Sequence, residues 1–248
     1  MKKKYSYLLL SFLLFACSSE SESSDRSETD KANFEEEVVE MDEVIEVTEI
    51  EENPEVLLQE SMLENGTLVH LDGLSFGIDT LDVWNQGGEK EFRLEGYDTV
   101  QIYLGLAWGI GDRDLHLFYE HIENLKIYQS YETSITIMNE GPHCDLTEWK
   151  HYKSKWSLLK LGDKMVRTNA YEEKDYEKFI EVDMNELAEA AREHCGDFWA
   201  EHVSESTSPT DYPSGVTISR TFLKFEYNFV DDPATVVNYV CFNHPMGC

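Results

Sequence analysis

Residues 63–248 predict an α+β domain: an antiparallel, β-rich, sandwich-like core with a few inserted helices. Three observations lead there. From Thr67 to Met138 the chain is a succession of short runs rich in β-branched and aromatic residues, broken by turn residues. From Asp145 to Val203, apolar residues recur at helical spacing behind capping residues. From Ile218 onward the pattern returns to strand.

Taken in order, strands are expected at Thr67–Asp72, Glu91–Leu94, Thr99–Leu106, Leu115–Tyr119, Asn124–Gln129 and Ser134–Met138. Gln86-Gly87-Gly88, Gly109-Ile110-Gly111-Asp112 and Asn139-Glu140-Gly141-Pro142 supply turns between them. The nearly continuous apolar run QIYLGLAW predicts a strand buried on both faces. Asp145, with Glu148 three residues on, is capping-box-like, and Leu146, Trp149, Tyr152 or Lys153, and Trp156 follow at helical spacing. Asp183 is placed to cap MNELAEAAREHCGDFWAEHV, whose stripe is Leu187, Ala190, Ala191, His194 or Cys195, Phe198 and Trp199. Gly196 inside that helix costs up to about 1 kcal/mol and marks a break. SESTSPTDYPSG reads as a loop. Ile218–Phe229 and Val236–Phe242 are strands joined by Asp231-Asp232-Pro233.

The chain opens MKKKYSYLLLSFLLFAC. A basic start, a short apolar run and a small residue before Cys17 mark residues 1–16 as a secretory signal peptide. The run is too short for the roughly 20 residues of a membrane-spanning helix. Leu14-Phe15-Ala16-Cys17 resembles the lipobox of bacterial lipoproteins. The resemblance implies cleavage before Cys17, diacylglycerol on its thiol, and membrane attachment through lipid such as palmitate. Each buried methylene contributes about 0.8 kcal/mol, and stable anchoring takes more than one chain.

Residues 17–62 then read as an acidic, disordered tether. Positions 18–60 hold 17 acidic and 2 basic side chains, a net of −15 out of the chain's −30. Like charges repel and extend such a segment, and it lacks the apolar surface to offset its ordering entropy. Val38–Ile50 is a more apolar stretch, read as a conditionally ordered linker. Acidic residues directly after the lipid-bearing cysteine resemble the surface-export signals of Bacteroidetes lipoproteins. That implies display on the outer membrane, with periplasmic retention as the competing reading. Asp79-Thr80-Leu81 and Asp98-Thr99-Val100 resemble the short O-glycosylation motif of exported proteins of the same group.

The globular part is long enough for one domain with a proper core. Its 33 acidic and 15 basic residues leave −18, which argues against nucleic acid and anionic lipid as partners. There is no H-E-x-x-H, P-loop or G-x-G-x-x-G, and no cofactor is expected. Asp112 and Asp114 read as a polar turn rather than a calcium site, because the spacing lacks the bidentate Glu of an EF-hand loop, and no metal is expected.

EGPHCDLTEWKHYKSKW is the most suggestive stretch, with His143, Asp145 and Glu148 as candidate acid–base residues and Cys144 as a nucleophile. The plainer reading of Cys144 is a disulfide. Five tryptophans and thirteen tyrosines offer sugar-gripping surfaces if some are exposed.

With Cys17 lipidated, Cys144, Cys195, Cys241 and Cys248 remain, and an even number beyond an export signal favours disulfides over zinc. Of three pairings, Cys144–Cys195 with Cys241–Cys248 is preferred. A non-enzymatic binding domain for a glycan or protein ligand is the leading expectation. An envelope hydrolase using His143, Asp145 and Glu148 is the alternative.

Overall fold

The computed structural model describes residues 58–246, apart from 60, 63, 65, 85–89, 107–108, 140 and 205. Cys17, the signal peptide, most of the expected tether, Trp108 and Cys248 lie outside the described residues. In chain order the strands are β1 (Gly66–His70), β2 (Leu74–Asp79), β3 (Glu91–Arg93), β4 (Thr99–Tyr103), β5 (Asp114–Tyr119), β6 (Ile122–Met138), β7 (His143–Asp145), β8 (Tyr152–Lys153), β9 (Ser157–Leu158) and β10 (Met165–Arg167). Three helices follow, α1 (Glu173–Tyr176), α2 (Met184–Cys195) and α3 (Asp197–Val203), then β11 (Ser214–Phe229) and β12 (Asp232–Asn243). The fold is the expected β-rich α+β type, with two largely antiparallel sheets.

One sheet has the order β10-β5-β2-β1-β3, and the other β4-β12-β11-β6-β7 with β8 and β9 also paired to β6. Among the described residues only β1–β3 and β12–β4 are parallel pairs. The β1–β2 hairpin turns at Asp72-Gly73, where the Leu71 amide donates to the Leu74 carbonyl at 2.7 Å. Gly73 has φ +69, and a Cβ there would meet the Phe229 ring at 2.5 Å, so only glycine fits. Met62 is buried with Leu68 and Phe118 on the outer side of this sheet, so the last residue of the expected tether is packed.

The sheets face each other across a core of Val69, Phe76 and Ile78 against Ile127, Leu223, Phe225, Tyr227, Val240 and Phe242. Side chains along a strand alternate between faces. Ile127 and the later Ile135 and Ile137 of β6 therefore point the same way. The latter two enter a second core with Leu187, Ala190, Ala191, Ala200 and Val203 of α2 and α3. Partner strand β11 keeps phase by a bulge: the register shifts between Ile218 and Arg220, and the extra residue Ser219 brings Val216 opposite Ile135. Between the cores the same face of β6 is polar, with Gln129, Tyr131 and Thr133. This polar waist is roofed from the side by the segment leading into α1.

Asp183 caps α2 as expected, accepting from the Asn185 and Glu186 amides at 2.8 and 2.9 Å while the Glu186 carboxylate accepts from the Asp183 amide. The chain breaks at Gly196, φ +98, and continues as α3. Cys195, at the end of α2, is bonded to Cys144 of β7.

Three expectations are corrected. QIYLGLAW is not buried on both faces: β4 is the sheet's edge strand, and Gln101 and Tyr103 face outward. No helix follows Asp145. Its carboxylate accepts from Thr136 Oγ1 of the neighbouring strand at 2.7 Å instead of capping, and the chain makes one turn before extending as β8 and β9 along β6. Asn124–Gln129 and Ser134–Met138 are one strand, because the intervening Ser130–Thr133 are buried and paired in the ladder to β11.

Candidate functional site

The outer face of the seven-stranded sheet holds a groove of about 270 Å³ lined by Trp84, Tyr103, Asp145, Glu148, Arg220, Asn243 and His244, among others. Alternation along β7 sends Cys144 inward to its disulfide and leaves His143 and Asp145 outward. His143 Nε2 is 3.2 Å from Asp145 Oδ2. Burial raises the Asp145 pKa, opposed by the Thr136 hydrogen bond and the His143 ring. Glu148 reaches across to Arg220 Nη2, and Arg220 Nη1 lies 3.6 Å from Glu132. The Glu132 side chain is only 5% exposed and is neutralised further by Lys153 at 3.0 Å.

The opposite wall is aromatic. Val83 bridges Leu104 beyond the edge of β4, and the Trp84 amide donates to the Tyr103 carbonyl at 2.7 Å, which sets the two residues opposite each other. Trp84 is 78% and Tyr103 56% exposed. The floor is polar and fixed. Asn243 Nδ2 donates to Gln101 Oε1 at 3.0 Å, and His244 Nε2 meets Thr221 Oγ1 at 2.8 Å.

The three acid–base candidates are thus partly united. His143 and Asp145 are paired, Asp145 and Glu148 share the groove, and Glu148 is engaged by Arg220. Cys144 is excluded as a nucleophile by its disulfide. Among the described residues Cys241 is a buried thiol with no disulfide partner, and burial pushes its pKa up to about 12. Its expected partner Cys248 lies outside the described residues. Asp112 and Asp114 are occupied by Arg167, at 2.7 and 3.0 Å. Among the described residues no group of three or more His, Cys, Asp or Glu is arranged to hold a metal ion.

Two features were missed by sequence reasoning. The Trp84–Tyr103 pair depends on a bridge between segments about twenty residues apart. A second polar chain joins Ser75 Oγ to His70 Nδ1 at 2.8 Å and His70 Nε2 to Glu91 Oε1 at 2.7 Å. A signal for it existed. His70 and Ser75 flank the Asp72-Gly73 turn symmetrically, so recognising a hairpin there would have paired them.

The fold and groove define a two-sheet, helix-bearing domain with an aromatic, carboxylate-lined outer face. No protein-family model matches the chain, and no curated protein or solved structure is significantly similar to it.

The groove predicts a pH dependence. Burial lowers the His244 pKa to about 4 from a reference of 6.5. The folded state therefore resists a proton that the unfolded chain accepts. Stability is full above about pH 6.5 and falls as the pH drops towards 4, by roughly 3 kcal/mol. In urea unfolding at pH 7 and pH 4, the difference between the two midpoints should shrink in His244→Gln. An unchanged difference would remove His244 as the cause.

Proposed function

We propose that this chain is a lipid-anchored lipoprotein of the outer membrane whose domain binds a glycan without transforming it. The N-terminal lipobox-like sequence and acidic tether support the anchor. One observation supports the ligand class: two exposed aromatic residues, Trp84 and Tyr103, line a groove that also presents Asp145, Glu148, Arg220 and Asn243. The apolar C–H face of a pyranose covers an aromatic ring well, and planar carboxylate, amide and guanidinium groups match paired ring hydroxyls. A net-negative domain favours a neutral sugar there over nucleic acid.

Neutral oligosaccharides titrated into the full chain should bind at least tenfold more weakly after Trp84→Ala. Binding that survives replacement of both Trp84 and Tyr103 by alanine would refute the groove, and an envelope protein captured through the same residues would replace the glycan as ligand. Fatty-acid labelling should disappear in Cys17→Ser; a mutant that still labels and fractionates with membranes refutes the anchor.

A second reading, an envelope hydrolase, draws on the Ser75–His70–Glu91 chain. The His143–Asp145 pair cannot use the intervening Cys144, which is bonded to Cys195, and Thr136 already donates to Asp145. Ser75, by contrast, has a histidine hydrogen-bonded to a carboxylate. A fluorophosphonate probe that labels wild type but not Ser75→Ala would favour this reading.

A further inference from the structure

The polar waist between the two cores is also concave. It forms a cleft of about 370 Å³ on the inner face of β6, opposite to the face that bears the aromatic groove. That volume is within the ~300–1,000 Å³ typical of small-molecule sites. Its floor is held rigidly by its own bonds. Gln129 Oε1 accepts from the Asn169 amide at 2.7 Å, and Gln129 Nε2 donates to the Asn169 carbonyl and the Tyr171 hydroxyl, both at 3.2 Å. The Tyr131 hydroxyl donates to Asp175 Oδ1 at 2.8 Å, and Lys178 Nζ lies 2.7 Å from the same oxygen. The rim differs. Among the described residues, Lys155 Nζ and the Tyr152 hydroxyl, both on this cleft, have no hydrogen-bond partner. Ser157 Oγ accepts only from Asn169 Nδ2, at 3.3 Å.

We propose that this cleft is a second ligand site, independent of the aromatic groove, and that it takes a pyranose bearing a single carboxylate, such as a hexuronate. Nine of the eleven lining residues come from positions 150–178, which hold eight Lys or Arg and five Asp or Glu, 8 − 5 = +3, in a domain of net −18. The cleft is therefore built by the basic segment of an acidic protein. The charge available inside it is one. Asp175 is ionised and cancels Lys178, which leaves the Lys155 ammonium to face an anion. A monoanion is matched by that charge, whereas a phosphate dianion would bring a second charge with no cation left to meet it. Donors from Lys155, Tyr152 and Ser157 suit a carboxylate with neighbouring hydroxyls. The Tyr131 and Tyr152 rings, with centroids 6.2 Å apart, form an apolar wall for the ring's C–H face.

The test is calorimetric titration of the full chain with galacturonate and glucuronate, with galactose, glucose and inorganic phosphate in parallel. The expected result is saturable hexuronate binding that weakens at least tenfold in Lys155→Ala, weakens several-fold in Tyr152→Phe, falls with added salt, and is unchanged in Trp84→Ala. The last comparison separates this site from the groove, so either can fail alone. Both Lys155 and Tyr152 project from the rim, and the variants keep the fold. Equal affinity for the neutral sugars, tighter binding of phosphate, insensitivity to Lys155→Ala, or no saturable hexuronate binding would each overturn the proposal.

Discussion

Replacing Cys144 and Cys195 by alanine should lower stability by about 4 kcal/mol, the largest single loss available outside the sandwich core. The bridge spans a sequence separation of 51, and constraining a loop of that size in the unfolded chain is worth roughly 4 kcal/mol in the chain-entropy model. The local setting gives little to replace it. β7 has only three residues, and α2 offers the second core Leu187 and two alanines. The helices should therefore loosen before the sandwich does. Trp149 and Trp199, packed against the second core, report that event by fluorescence in a urea titration of the double mutant. A loss below about 1 kcal/mol would mean the helices hold to β6 without the bridge.

Phe225→Ala should cost about 3–5 kcal/mol. Phe225 is fully buried in the middle of β11 and stacks on Phe76 of the facing sheet, with ring centroids 5.2 Å apart. Its removal opens a cavity at the joint between the sheets, where neither β2 nor β11 can move inward without breaking its ladders. Phe225→Leu, which refills most of the volume, should cost much less. Equal losses for the two variants, measured by chemical denaturation at pH 7, would show that the joint is already loosely packed.

The legible part of this fold is the part governed by local rules. Asp183 and Gly196 declared the start and the break of the helical pair, because caps and glycines act within a turn of themselves. Long strands with β-branched alternation, such as Ile218–Phe229, were also visible. What failed depended on position in the sheet. QIYLGLAW reads as doubly buried, yet β4 ends up at an edge, and nothing in its own residues says which neighbour it will lack. Asp145 has the same local signature whether it caps a helix or accepts from Thr136, and the choice is made by β6. Counting cysteines pointed to disulfides but left three pairings, and the Cys144–Cys195 bond is decided by where β7 meets the end of α2. The groove was legible only as a list of aromatic and acidic residues, since exposure of Trp84 and Tyr103 is decided by the Val83–Leu104 bridge.

The order of pairing along the chain has a consequence for how the protein is made. Strand β6 pairs with β11 from Phe229↔Ile122 to Ser214↔Ile137, separations of 107 and 77 residues, and β4 meets β12 at Val100↔Val240, a separation of 140. A chain emerging from its N-terminal end can close the β1–β2 hairpin at once. It can pair β6 with β7, β8 and β9, but it cannot complete the larger sheet until β11 and β12 are free. Until then β4 and β6 are apolar strands with open edges, the state in which nascent chains stick to one another. Assembly should thus be slow, as non-local pairing demands. Loss of the final strand should yield a protein that aggregates rather than one that merely melts earlier.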